Sequence, residues 1–226
     1  MNFIPSIELG LGIAENPSDV AVTIQLLIIL TVLSLAPAIL IMMTSFTRSV
    51  IVLSFVRNAL ATNQMPPNQV LIGLSLFLTF FIMAPTFSAV YNDAFIPYIN
   101  GELQTEEALA KAMDPIRDFM FTHTRESDLE MFIQLSGNER PNSRDDVPTM
   151  TLIPAFVISE LKTAFQLGFV IFVPFLVIDM IVASTLMAMG MMMLPPVMIS
   201  LPFKILLFVL IDGWHLITRS LLLSYL

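Results

Sequence analysis

The sequence predicts an all-α, integral membrane-type protein. It has four hydrophobic, proline-kinked helical segments in two helical hairpins, with a helical extracytoplasmic region between them. Three observations predict this. First, 56% of the 226 residues are hydrophobic, only 12% are charged, and the mean hydropathy is +0.84. Long uncharged stretches of this kind belong to membrane proteins rather than soluble globules. Second, the charge is concentrated: residues 92–150 hold twelve of the eighteen acids and five of the ten bases, a local net charge of −7. Third, Pro37, Pro85, Pro154, Pro174, Pro195, Pro196 and Pro202 lie in or beside apolar segments. Each removes a backbone donor. In lipid such breaks are tolerated where other protein or a cavity re-satisfies the backbone, so an oligomer is expected.

Residues 1–19 form an N-terminal segment. The first twenty residues carry three acids and no Lys or Arg. A secretory signal needs a basic start, so the first apolar span is expected to stay in the mature chain. Residues 20–91 read as the first hydrophobic helical pair. One span covers about Val20 to Phe46, long enough to cross a bilayer at ~20 residues per crossing, with a kink expected at Pro37. A linker from Thr47 to Gln69 follows, holding Arg48, Arg57 and no acid. The second span covers about Val70 to Tyr91. Because Lys and Arg in short loops mark the cytoplasmic side, Arg48 and Arg57 put this linker in the cytoplasm and the acidic region outside.

Residues 92–150 read as that acidic, helical extracytoplasmic region. Thr105 is placed to cap a helix opening on Glu106 and Glu107, whose charges suit a helix N-terminus. Asp114-Pro115 reads as the start of a second helix, Asp as cap and Pro at the first helical position. Leu129, Phe132 and Ile133 have the spacing of a buried stripe. Gly137 is a stop, and "NERPNSRDDVP" a loop by its turn residues.

Residues 151–226 read as the second hydrophobic hairpin. The apolar run from Thr163 to Ile211 is broken only by Asp179 and Lys204 and is long enough for two crossings. "MAMGMMMLPPVM", Met187 to Met198, with Gly190 and Pro195-Pro196, is the natural turn between them. "DGWH" ends the fourth span, with Trp214 as an interface anchor.

No catalytic constellation is visible. His123 and His215 stand alone, the eight glycines form no phosphate loop, and the absence of cysteine excludes a disulfide framework and cysteine metal sites. The chain reads as no enzyme, with no cofactor, no metal and no nucleic-acid partner. Asp179 is a carboxylate deep in a span; it reads as paired, with Lys204 as the candidate, or as part of a proton path. Glu160 and Lys162 stand where the outer region meets the third span, as a solvated helix start or a contact between subunits. The methionine cluster is either hairpin core or a compressible apolar ring around a pore.

Beyond composition, "PPNQVLIGLSLFLTFFIMAPTF" (Pro66 to Phe87), "PIRDFMFTHTRESDLEMF" (Pro115 to Phe132) and "SELKTAFQLGFVIFVPFLVIDMIVASTLMAMGMMMLPPVMISLPFKILLFVLIDGW" (Ser159 to Trp214) resemble the FliP family of flagellar biosynthetic proteins. The resemblance runs from about Pro37 to the end. It implies an export-gate subunit of the flagellar type III secretion apparatus, in the bacterial inner membrane and flagellar basal body. It implies about five copies assembled with FliQ and FliR, beside export-apparatus membrane proteins such as FlhB, in a core partly on the extracytoplasmic side of the membrane lipid. That core conducts unfolded export substrates. Carried over residue by residue, Met191, Met192 and Met193 match the family's methionine gasket, with Met187 and Met189 beside it. Phe119, Phe132 and Glu160 match positions that pack neighbouring subunits. The injectisome homologue of virulence secretion, and more remotely an ion channel or transporter subunit, are the alternatives.

Overall fold

In the computed structural model, which describes residues 17–62, 64–137, 141–191 and 193–226, every regular element is a helix. The chain divides into two compact units, one ending at Ile39 and one running from Leu40 to Leu226. In the first, residues 17–39 are helical throughout, as part of α1 (Pro17–Met43). In the second, α2 (Phe46–Ala59), α3 (Asn68–Ile82) and α4 (Ala84–Val90) come first. A single π-helical turn, Tyr91–Phe95, leads into the short α5 (Ile96–Ile99). Then follow α6 (Thr105–His123), α7 (Glu126–Leu135), α8 (Thr149–Ala188), α9 (Pro196–Leu210) and α10 (Gly213–Leu223).

Among the described residues one helix, α8, is by itself long and apolar enough to cross a membrane. The number rises to as many as four if each bent helix pair is one span. Such pairs are α3 with Ala84–Ile99, bent by 60°, α9 with α10, bent by 64°, and the pair broken at Thr44-Ser45. The breaks do not fall where most prolines stand. Pro37, Pro115, Pro154, Pro174 and Pro202 lie inside continuous helices. At the bent pairs just given, Pro85 sits at a break, in the first turn of α4, where its missing N–H is no loss. The α9–α10 bend has no proline; Asp212 makes it with a left-handed backbone, φ +51°.

The expected linker after the first span is instead α2, packed mainly on α8 and α3. Its buried residues Arg48, Ser49, Val52, Val56 and Ala59, with the buried N-cap Ser45, recur at helical spacing. Three of those six are polar, and this hid the stripe in the sequence. The two helices expected in the acidic region, split at Asp114-Pro115, are one continuous α6. A proline inside a helix costs a hydrogen bond and some strain; packing of α6 on α4 and α8 offsets it here. Thr105 is the first residue of α6, after an extended Gln104, and makes no side-chain cap bond. Gly137 closes α7 with φ +68°.

Two apolar clusters hold the second unit together. In one, Val52, Leu53 and Val56 of α2 meet Leu71 and Leu78 of α3, Phe175 of α8, Phe208 of α9 and Leu221 of α10. In the other, Met120 and Phe121 of α6 pack with Met43, Val147, Leu152 and Phe156, and Leu129 and Ile133 of α7 lie against them. Outside these clusters, α3, α8 and α9 keep many large apolar side chains exposed. Bare apolar surface on this scale implies lipid or other protein chains around it.

Candidate functional site

The methionine stretch is the α8–α9 turn. Gly190 takes φ +74°, with open space where a Cβ would stand. The amide of Met191 donates to the Leu186 carbonyl (3.0 Å) and that of Gly190 to the Met187 carbonyl (3.0 Å). This pair of bonds is the Schellman closure of a helix C-terminus. Pro195 is extended and Pro196 opens α9 at its first turn. The closure and the proline start leave little freedom to the ends of the turn, while its side chains point outward. Met187, Met189 and Met193 are all more than half exposed, Met193 at 97%, and Met191 is less so. Met192 lies outside the described residues.

Below the turn, Asp179 of α8 and Lys204 of α9 form an ion pair of 2.6 Å, as the sequence suggested. Lys204 Nζ also donates to the Ala59 carbonyl at 3.2 Å, and Ser200 Oγ donates to the other Asp179 oxygen. Lys204 is buried and Asp179 partly so. With both carboxylate oxygens engaged, this pair clamps α8 to α9 and to the end of α2.

A second charged pair was not anticipated. Arg48 of α2 and Glu160 of α8 are 3% and 0% exposed. The Arg48 guanidinium grips both Glu160 oxygens in a fork, with Nε to Oε2 at 2.9 Å. Its Nη1 donates to the Ser224 carbonyl (2.8 Å) and to Ser224 Oγ (2.9 Å). The Tyr225 hydroxyl donates to Glu160 Oε2 at 2.6 Å, and the guanidinium stacks 3.8 Å from the Tyr225 ring centre. Four of the five Arg48 N–H groups are thereby used.

This geometry corrects two expectations. Arg48 is no loop charge and carries no orientation information. Glu160 is no solvated helix start: it is fully buried, and Arg48 and Tyr225 of its own chain hold its carboxylate. The only sequence signal was that Arg48 has no acid near it in an apolar segment. The partner stands 112 residues away.

Phe119 of α6 belongs to the same neighbourhood. Its ring lies 4.7 Å from His123, 5.9 Å from Phe156 and 6.0 Å from Tyr225, and His123 meets Tyr225 edge-on at 4.9 Å. Burial, and then the charge of Arg48, hold the His123 imidazole down at about 4, so it is neutral at pH 7. Phe132 is half-buried on α7. Beside it, Ser159 Oγ donates to Asp128 (2.8 Å) and accepts from the Arg125 amide (3.0 Å), tying α7 to α8.

Chemically, the arrangement is one of clamps and a soft turn. Among the described residues no group of His, Asp or Glu has the spacing to hold a metal ion. Residues 29–221 match the FliP family. The flagellar biosynthetic protein FliP of Bacillus subtilis is 62% identical over 212 residues, covering 94% of this chain and 96% of that protein. That of Pectobacterium carotovorum is 54% identical over 90% of this chain and 79% of its own length. That of Aquifex aeolicus is 50% identical over 98% and 92%.

Proposed function

Because this chain belongs to the FliP family, we propose that it is a core subunit of the flagellar type III protein export gate, sealed by a methionine gasket. The coarser reading, a membrane-associated protein of flagellar biosynthesis and export, follows from the family and the apolar α8. In the finer one, several copies assemble with FliQ and FliR in the inner membrane, near FlhB. Residues 20–91 and 151–226 supply the core helices, and residues 92–150 the extracytoplasmic region. Phe119 and Phe132 pack between neighbouring copies. Glu160 serves that packing by fixing the protomer from within.

The observation that carries the gate reading is the methionine turn: thioethers held on a closed helix end, three of them more than half uncovered by their own protomer. A chain being exported is about 10 Å wide even as a helix, and its side chains vary. A gate must fit each of them and still exclude ions when idle. Methionine has three rotatable side-chain bonds and a polarizable, apolar sulfur, so it re-packs readily. A narrow apolar ring excludes water and ions. The ion-path alternative is weaker because Asp179 is already held by Lys204 and Ser200.

The test is conductance. The complex assembled with FliQ and FliR is placed in a planar bilayer, with Met187, Met189, Met191, Met192 and Met193 all replaced by alanine. The expected result is normal assembly with raised ion leakage. An alanine complex as tight as the wild type removes the gasket.

A further inference from the structure

The exposed thioethers of the α8–α9 turn have a chemistry that packing does not use. We propose that Met187, Met189 and Met193 are a sulfoxidation site, and that peroxide-class oxidants open the closed gate by modifying them. This rests on the gate reading above.

Reactivity follows exposure. The same chain offers its own controls: Met83 and Met120 are 0% exposed, and Met43 is buried with them. Other methionines are exposed too, Met65 and Met150 among them, but they stand singly. At the turn the modification changes the one property the seal depends on. From Met180 to Phe203 the sequence has no charged residue. Nothing in that stretch holds water strongly except backbone and a few hydroxyls, of which Thr185 donates to a carbonyl of its own helix and Ser200 to the Asp179 carboxylate. Exclusion of ions at this level therefore rests on the low polarity of the thioethers themselves.

The step balances simply. A lone pair of the sulfur attacks one oxygen of hydrogen peroxide and the O–O bond breaks. The departing hydroxide takes the remaining proton and leaves as water. Sulfur is oxidised by two electrons and the peroxide is reduced. The product S=O is a strong hydrogen-bond acceptor on a formerly apolar side chain, so a ring of them holds water where the thioethers expelled it. Two thiols reverse the change, taking the oxygen as water and becoming a disulfide.

The test uses the assembled complex in a planar bilayer, exposed to hydrogen peroxide, with peptide mass mapping of the same sample. One added oxygen is expected on Met187, Met189 and Met193 well before Met83 or Met120. Conductance should rise severalfold in step and fall again on treatment with methionine sulfoxide reductases. Glutamine at the three positions, a polar mimic of the sulfoxide, should leak without oxidant. Leucine at all five turn methionines should remove the response to peroxide. Sulfoxide on the turn without a rise in conductance overturns the inference, as does oxidation there no faster than at Met83. The gate reading is judged separately, on the untreated alanine complex: a leaky alanine complex beside an oxidised wild-type complex that stays tight sinks this inference alone.

Discussion

Tyr225 places its hydroxyl 2.6 Å from Oε2 of Glu160, 65 residues earlier in the chain, and lays its ring against the guanidinium that pairs with the same carboxylate. The end of the chain thus completes a charge network begun by α2 and α8. Removing one member of a buried ion pair leaves the other uncompensated and costs about 3–5 kcal/mol. Glu160→Ala is expected to lose that much in denaturant unfolding of the protomer in detergent. Tyr225→Phe, which removes one hydrogen bond to a charged group, should lose about 1–3 kcal/mol. In a double-mutant cycle the two should be coupled rather than additive. Glu160→Ala that spoils the oligomer but leaves protomer stability untouched would return Glu160 to a subunit boundary.

His123 gives the fold an acid sensitivity of definite sign. Its folded-state value, about 4, lies below the ordinary 6.5, so the unfolded chain binds the proton more readily. Stability is then fully present above about pH 6.5 and declines as the pH falls toward 4. His123→Phe keeps the ring packing against Phe119 and Tyr225 without the titrating group. Its melting temperature should fall less than that of the wild type between pH 6.5 and 4. Parallel curves for the two proteins would show that His123 does not set the slope.

At the other charged pair, Asp179→Ala and Lys204→Met should each be costly alone, by about 3–5 kcal/mol, since each strands a desolvated partner. Combined, they should cost less than their sum. Lys204→Met alone should also loosen the clamp to Ala59, read as faster amide exchange at the end of α2. Additive costs would mean that the 2.6 Å pair contributes nothing as a pair.

Two glycines separate crowding from backbone strain. A Cβ on Gly168 would stand 2.5 Å from the Phe55 ring, where α8 crosses α2. Gly168→Ala should cost about 1–3 kcal/mol through overpacking. Gly190→Ala meets no neighbour but must keep φ +74°, costing about 1–2 kcal/mol from the left-handed backbone alone. Phe55→Ala should rescue Gly168→Ala in part and leave Gly190→Ala unchanged, as thermal unfolding would show.

How much of this could be read from the sequence depended on whether the cause was local. The α8–α9 turn was legible because Gly190 and Pro195-Pro196 are local stop and start signals whose physics needs no partner. Asp179 and Lys204 were legible as a pair because they are alone in a long apolar run. Helix α2 was misread as a linker because three of its six inward-facing residues named above are polar, and burial of Arg48 depends on Glu160, which no local pattern announces. The single α6 was missed because Asp114-Pro115 is good cap chemistry, overridden by tertiary packing. The methionine turn drew notice through composition, yet its exposure needed coordinates.

The 40 residues of α8 set a limit on how the protein sits in a bilayer. At 1.5 Å per residue its axis is roughly 60 Å long, twice the ~30 Å hydrocarbon layer. Glu160 and Met187 lie roughly 40 Å apart along that axis. Taken as a straight rod tilted by less than roughly 40°, α8 cannot hold both in the oily layer at once. One of the two therefore stands among headgroups, water or other polypeptide, and the greasy flank beside it requires a protein neighbour for cover.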